Sequence, residues 1–215
     1  MPTVYLLRLS ESTQPRMRAL LLQAEGMDLA GSGHVLADAL DEIAALAPDI
    51  VACDLRLVDS HAMRVAHELG RLPVRPQLLL LTPTADDLQL FAALSAGANA
   101  YHVDDGSGAG LVEAITRLHE RRARLGPQLA RQALAAFGIE RSPLAIARQA
   151  AAALDARAAG RQIDEASRHL LTLLAQGLLQ AEIAALWRLD EAEIERRIWR
   201  LVRLLHVRSR ERLIA

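Results

Sequence analysis

Lysine is missing from this chain of 215 residues, and all 25 basic side chains are arginines. Cysteine occurs once, at Cys53, which excludes an internal disulfide, and no Cys/His cluster at ligand spacing marks a structural zinc site. The seven histidines are scattered, and His61 with His67 is not a helical i, i+4 ligand pair. Aromatics are scarce at 3%, but 52% apolar and 24% charged residues exclude a disordered tail or a collagen-like chain. The longest leucine run, Leu78 to Leu81, is far too short to span a membrane. The opening MPTVYLLRLSE has neither the basic leader nor the apolar stretch of a signal peptide, so a cytoplasmic location with no membrane partner is expected. No Gly-x-Ser-x-Gly elbow is present. Gly31-Ser32-Gly33 and Gly106-Ser107-Gly108-Ala109-Gly110 read as loops, without the following Lys that cradles a nucleotide phosphate. Neither enzyme chemistry, nor a cofactor, nor a metal is expected.

The net charge of -1 hides an asymmetry. Residues 1–110 carry a net -7, residues 111–160 a net +4 and residues 161–215 a net +2. An acidic front is thus joined to a basic rear. In the front, short Val/Leu/Ile runs alternate with segments of helical period, the pattern of a parallel sheet covered by helices. Strands are expected at Val4–Leu9, Asp28–Ser32, Ile50–Cys53, Gln77–Leu81 and Ala100–Val103. Helices are expected at Arg16–Glu25, Ala37–Leu46, Ala62–Leu69, Asp87–Ala96 and Gly110–Arg122, giving five βα units over residues 1–122.

Residues 123–160 are Ala-rich and punctuated by Gly126-Pro127, Gly138 and Ser142-Pro143. Pro inside a helix start and Gly beyond its end predict two linker helices, Pro127–Phe137 and Pro143–Ala158. Residues 161–215 offer four helical segments: Glu165–Gln176, Gln180–Trp187, Glu191–Leu205 and Ser209–Ile214. Gly177 closes the first, and Asp190 with Glu193 makes a capping-box-like start for the third. Small helices joined by tight turns suggest a helix-turn-helix.

In a doubly wound sheet, chemistry belongs at the carboxyl ends of the strands, which here carry Arg8 and Leu9, Asp54, Thr82 and Asp104. The segments Pro48-Asp49-Ile50-Val51-Ala52-Cys53-Asp54-Leu55-Arg56, Leu80-Leu81-Thr82 and Ala96-Gly97-Ala98-Asn99-Ala100-Tyr101 resemble the receiver domain of bacterial response regulators. Leu173-Leu174-Ala175-Gln176-Gly177-Leu178, Glu182-Ile183-Ala184 and Val207-Arg208-Ser209-Arg210 resemble the LuxR-type helix-turn-helix of the FixJ and NarL class. The resemblance implies a flavodoxin-like α/β receiver with a five-stranded parallel sheet, followed by an all-α DNA-binding domain. It implies a phosphoryl acceptor at Asp54 and a switch pair at Thr82 and Tyr101.

The sequence departs from that pattern where phosphoryl chemistry needs it most. The family's acidic pair, which helps the acceptor hold magnesium, falls on Arg8 and Leu9, and sliding the match recovers at most Glu11. The family's lysine falls on Asp104. Phosphoryl transfer depends on electrostatic stabilisation and positioning, so ordinary phosphorylation is expected to fail or be slow. A guanidinium pairing Arg8 with Asp54 or Asp104 would take the metal's place. The competing expectation is that Arg8 snorkels to the surface, that Thr82 and Tyr101 only pack, and that Cys53 is a small core residue.

In the rear, the resemblance places lysines at 192 and 195, where this chain has Ala192 and Glu195. Acid at the exposed start of the groove-entering helix would repel phosphate. Arg196, Arg197, Arg200 and Arg203 follow, with Arg208, Arg210 and Arg212 beyond, and Arg reads guanine and binds phosphate well. Leu179, Leu186, Trp199 and Leu204 stand where the family has polar residues, so Leu186, Trp199 and Leu204 are candidate partner contacts, or else pack inward. The sequence therefore supports a homodimeric DNA-binding regulator that answers to a partner protein or a small molecule. A protein-interaction adaptor that has lost base reading is the alternative.

Overall fold

A computed structural model describes residues 1–9, 14–84, 88–105, 107–139 and 163–214 of the chain. The chain divides into two compact units, Met1–Arg124 with Ile198–Ala215, and Leu125–Arg197.

The first unit contains β1 (Thr3–Leu7), α1 (Gln14–Gln23), β2 (Asp28–Gly33), α2 (Leu36–Leu46), β3 (Ile50–Asp54), α3 (Ala62–Leu69), β4 (Gln77–Thr82), α4 (Leu88–Ala96), β5 (Ala100–Val103) and α5 (Leu111–His119). All strand pairs are parallel, in the order β2-β1-β3-β4-β5, which is the flavodoxin-like receiver sheet. The three inner strands read as apolar runs because helices cover both faces. Val4 to Leu7, Ile50 to Cys53 and Leu78 to Leu81 are accordingly buried.

Several boundaries differ from the sequence expectation, among them α1, which spans Gln14–Gln23 instead of Arg16–Glu25. β1 closes at Leu7 instead of Leu9, although the Arg8 N–H still donates to the Gly33 carbonyl at 3.0 Å. α5 occupies Leu111–His119 instead of Gly110–Arg122, because Gly110 (φ 75°) and Arg121 (φ 58°) hold left-handed backbone that no helix continues through. Cys53 is fully buried in β3, and desolvation pushes its thiol well up, as a core residue requires.

The second unit contains α6 (Pro127–Ala136), α7 (Glu165–Ala175), α8 (Gln180–Trp187) and the first residues of α9 (Glu191–Ile214). α6 and α7 pack together, and the Arg131 Nε donates to the Ala175 carbonyl at 3.1 Å. The Asp164 carboxylate caps α7 through the Ser167 N–H at 2.7 Å. Gly177 (φ 99°) and Arg188 (φ 53°) turn the chain between successive helices. The expected helix Pro143–Ala158 lies outside the described residues.

The sequence suggests two segments, Glu191–Leu205 and Ser209–Ile214, whereas α9 is one helix of 24 residues. Nothing in His206-Val207-Arg208 breaks it, since neither Gly nor Pro intervenes. Its Ile194, Ile198, Leu201, Val202 and Leu205 recur at helical spacing and are buried. Among the described residues, no helix is long and apolar enough to cross a membrane.

Candidate functional site

Four strand ends converge at one edge of the sheet. Arg8 directly follows β1, Asp54 ends β3, Thr82 ends β4 and Asp104 follows β5. Arg8 is fixed at both ends of its peptide unit, its N–H on the Gly33 carbonyl and its own carbonyl 3.2 Å from the His34 Nδ1. Asp104 is held against β4 by its N–H on the Thr82 carbonyl at 2.8 Å.

The Arg8 side chain runs inward between the two carboxylates. Its Nη1 donates to Asp104 Oδ2 at 2.8 Å, and its Nε lies 3.2 Å from Asp54 Oδ2, close enough to pair charges without hydrogen-bond alignment. The same Asp54 oxygen accepts the Leu9 N–H at 2.7 Å. Side-chain exposures of 7% for Arg8, 4% for Asp104 and 17% for Asp54 place the cluster inside the protein. Burial raises the Asp54 carboxyl above its ordinary value; the Arg8 guanidinium and the Leu9 N–H lower it, and Asp104 raises it.

A magnesium ion of the kind implied by the receiver resemblance needs hard oxygen ligands in octahedral order. This edge supplies two carboxylates with a guanidinium between them, and a peptide N–H already occupies one Asp54 oxygen. The described residues do not fit that ion. Among the described residues, no group of three or more His, Cys, Asp and Glu could hold a metal. Glu11 lies outside the described residues.

Thr82 is buried, and its hydroxyl donates to the Thr84 carbonyl at 2.8 Å, so the hydroxyl is engaged within its own turn. Tyr101 is half-buried on β5, paired in register with Leu80. Leu9 is exposed and contributes only its backbone to the cluster. His34 escaped the sequence reading, because a loop histidine that binds a carbonyl leaves no pattern.

The candidate DNA-contacting helix is α9. Asp190 accepts the Glu193 N–H, which caps the helix, but the Glu193 carboxylate does not complete a capping box. It accepts instead from Arg196 Nε at 2.9 Å and Arg197 Nε at 3.1 Å, and those guanidiniums lower its pKa. Arg197 also stands 5.6 Å from the Trp187 ring, whose centroid is 5.5 Å from that of His169. Two of the expected DNA contacts are therefore already partnered by a carboxylate. Arg200 is exposed, and the side chains of Arg208 and Arg210 lie outside the described residues.

Glu195, expected at the exposed start of this helix, is buried. Its carboxylate is thus not displayed to repel phosphate, a correction that helical phase explains, since Glu195 lies between the buried Ile194 and Ile198. Leu186 is exposed and Leu204 half-buried. Trp199 is half-buried, with Arg121 and Arg203 6.0 and 5.0 Å from its ring centroid.

No protein-family model matches the chain. It is 27% identical over 197 residues to the nitrate/nitrite response regulator protein NarP of Escherichia coli strain K12, covering 90% of this chain and 84% of NarP. It is 29% identical over 185 residues to the DNA-binding transcriptional activator DevR/DosR of Mycobacterium tuberculosis, covering 86% and 79%. Among solved structures, a Salmonella typhimurium RcsB response regulator matches all of both chains at 15% identity and a TM-score of 0.52, a likeness of fold. With its five-stranded parallel sheet, the helices that follow and two relatives aligned along most of its length, the chain is similar throughout to response regulators of the FixJ/NarL type.

Proposed function

We propose that this protein is a DNA-binding transcriptional regulator of the response-regulator class whose receiver works without ordinary aspartate phosphorylation. Arg8 carries the reading: its guanidinium lies between Asp54 and Asp104, at the edge where a receiver of the usual kind gathers a divalent ion. A resident cation gives the edge one fixed electrostatic state. Phosphorylating Asp54 would require the ion pair and the Leu9 hydrogen bond to break and a new counter-ion to enter. The switch is then something with different affinity for two states of the protein: a partner, a small ligand or a second copy of the chain.

DNA as partner is supported by the two relatives, one of them named as DNA-binding. The arginines of α9 supply the charge, with Arg196, Arg197, Arg200, Arg208 and Arg210 as the proposed contacts, acting in a cytoplasmic homodimer. The proposed domains are residues 1–122, 123–160 and 161–215. Selection of bound sequences from random duplex DNA by the full-length protein, with and without acetyl phosphate, tests this. The same consensus should emerge in both arms; a consensus seen only with acetyl phosphate would overturn phosphorylation independence, and none in either arm would overturn DNA binding.

One observation favours the adaptor instead, namely the capture of Arg196 and Arg197 by Glu193. An adaptor would ignore the loss of Arg196, Arg197 and Arg200 and lose its partner through changes at Leu186, Trp199 or Leu204.

A further inference from the structure

A cavity of about 300 Å³ opens in the first unit, away from the Asp54 edge. It lies where β4 begins, at Gln77, while Asp54 pairs near the other end of that strand with Leu81. Arg75, Gln77, Arg121, Trp199, Arg203 and His206 line it, and neither Asp nor Glu does. No carboxylate pairs with Arg75, Arg121 or Arg203 among the described residues. Three guanidiniums facing one concavity without a counter-ion repel each other, and a bound anion would relieve that repulsion.

Two further features point the same way. The Trp199 Nε1–H is buried and has no acceptor, so the wall offers a hydrogen-bond donor with nothing to receive it. Arg121 adopts a left-handed backbone (φ 58°), a conformation that an L side chain adopts at a cost, and its guanidinium stands 6.0 Å from the indole centroid. His206 Nε2, 2.7 Å from the Ala98 carbonyl, fixes the α9 wall against the loop before β5. The lining is therefore donor-rich.

We propose that this cavity binds a small multivalent oxyanion, a phosphorylated or polycarboxylate metabolite, through Arg75, Arg121, Arg203 and the Trp199 indole N–H. Its volume suits an anion of that size. Guanidinium planes match both phosphoryl and carboxylate oxygens, which is why the chemistry is shared between the two sources. Resting on the regulator reading above, such an anion is a candidate for the signal, because one wall of its site is the helix that carries Arg196, Arg197 and Arg200. Binding itself does not depend on that reading.

The test uses the full-length chain with Trp187→Phe, which leaves Trp199 as the only tryptophan and therefore the reporter. Sodium pyrophosphate and sodium citrate are titrated separately at constant ionic strength, and Trp199 fluorescence is followed. A saturable change with pyrophosphate alone assigns a phosphoryl ligand, with citrate alone a polycarboxylate, and with both the shared oxyanion chemistry. Arg203→Gln and Arg121→Gly should each weaken it by about tenfold or more, the second while suiting the left-handed backbone, and Arg168→Gln should leave it unchanged. If either variant loses its native circular dichroism, Arg75→Gln replaces it. Absence of saturation below about 10 mM for both anions would overturn the proposal. Equal weakening by Arg168→Gln would also overturn it. Because the readout is fluorescence and not DNA binding, failure of the regulator reading would leave this result standing, and the reverse.

Discussion

Replacing Arg8 by Ala removes a cation held between two carboxylates at 2.8 and 3.2 Å. The side-chain exposures of 7, 4 and 17% select the magnitude. Exposed pairs contribute about 0–1 kcal/mol, whereas stripping one partner from a buried pair costs about 3–5 kcal/mol because the remaining charge is uncompensated. At a urea dependence of about 2 kcal/mol/M, the unfolding midpoint of Arg8→Ala should fall by roughly 1.5–2.5 M at neutral pH. The pH dependence fixes the cause. Burial already raises the Asp54 carboxyl in the folded protein. A carboxyl raised by folding favours the fold below its unfolded pKa, and that contribution disappears as pH rises through the folded pKa. Arg8 is the largest influence lowering it, so the variant's folded pKa rises further and its window moves upward. Arg8→Ala should therefore recover much of its deficit between about pH 7 and about pH 5, and adding Asp54→Asn should recover much of it at neutral pH. Urea unfolding followed by circular dichroism at both values reads this out. A loss below about 1 kcal/mol, or a loss equal at the two pH values, would refute the reasoning.

Gly31→Ala would put a Cβ 2.7 Å from Tyr5 Cε2 and 3.0 Å from Glu42 Oε1, where the buried Tyr5 hydroxyl donates to Glu42 at 2.6 Å. Thermal unfolding should show a loss of about 1–3 kcal/mol, and a neutral variant would contradict the β1/β2 register. Glu193→Gln should release Arg196 and Arg197, tightening DNA binding and steepening its salt dependence by about one to two counterions; electrophoretic mobility shifts at several salt concentrations measure it. Unchanged affinity would mean that those arginines do not meet DNA. Asp164→Ala should cost about 1 kcal/mol of stability at neutral pH through loss of the α7 cap. Because folding lowers the Asp164 carboxyl, that difference should shrink as pH falls through its folded pKa, and an acid titration of both proteins checks the sign.

The receiver half was legible because its signals are local. Apolar runs such as Leu78 to Leu81 and helical periods such as Ala62–Leu69 name their own elements, and strand ends follow from them. The residues at those ends could be written down, but which carboxylate Arg8 faces depends on β5 returning beside β4, a long-range fact. Arg8 meets both. The rear half was less legible. A helix without Gly or Pro gives no local sign of its length, so the sequence suggests two segments where α9 is one. Partner choice among like-spaced charges was also hidden: Glu193 turns forward to Arg196 and Arg197 instead of back to its own cap, and Glu195 turns inward. The arginine-lined cavity joins residues more than a hundred positions apart, from Arg75 to Arg203, and no window of sequence contains it.

The most direct measurement exposes the full-length protein to acetyl phosphate and magnesium and separates phosphorylated from unphosphorylated chains on a phosphate-affinity gel, with magnesium binding followed in parallel by calorimetry. The guanidinium account predicts neither phosphorylation of Asp54 nor saturable magnesium binding at that edge. Prompt, magnesium-dependent modification abolished by Asp54→Asn would contradict it.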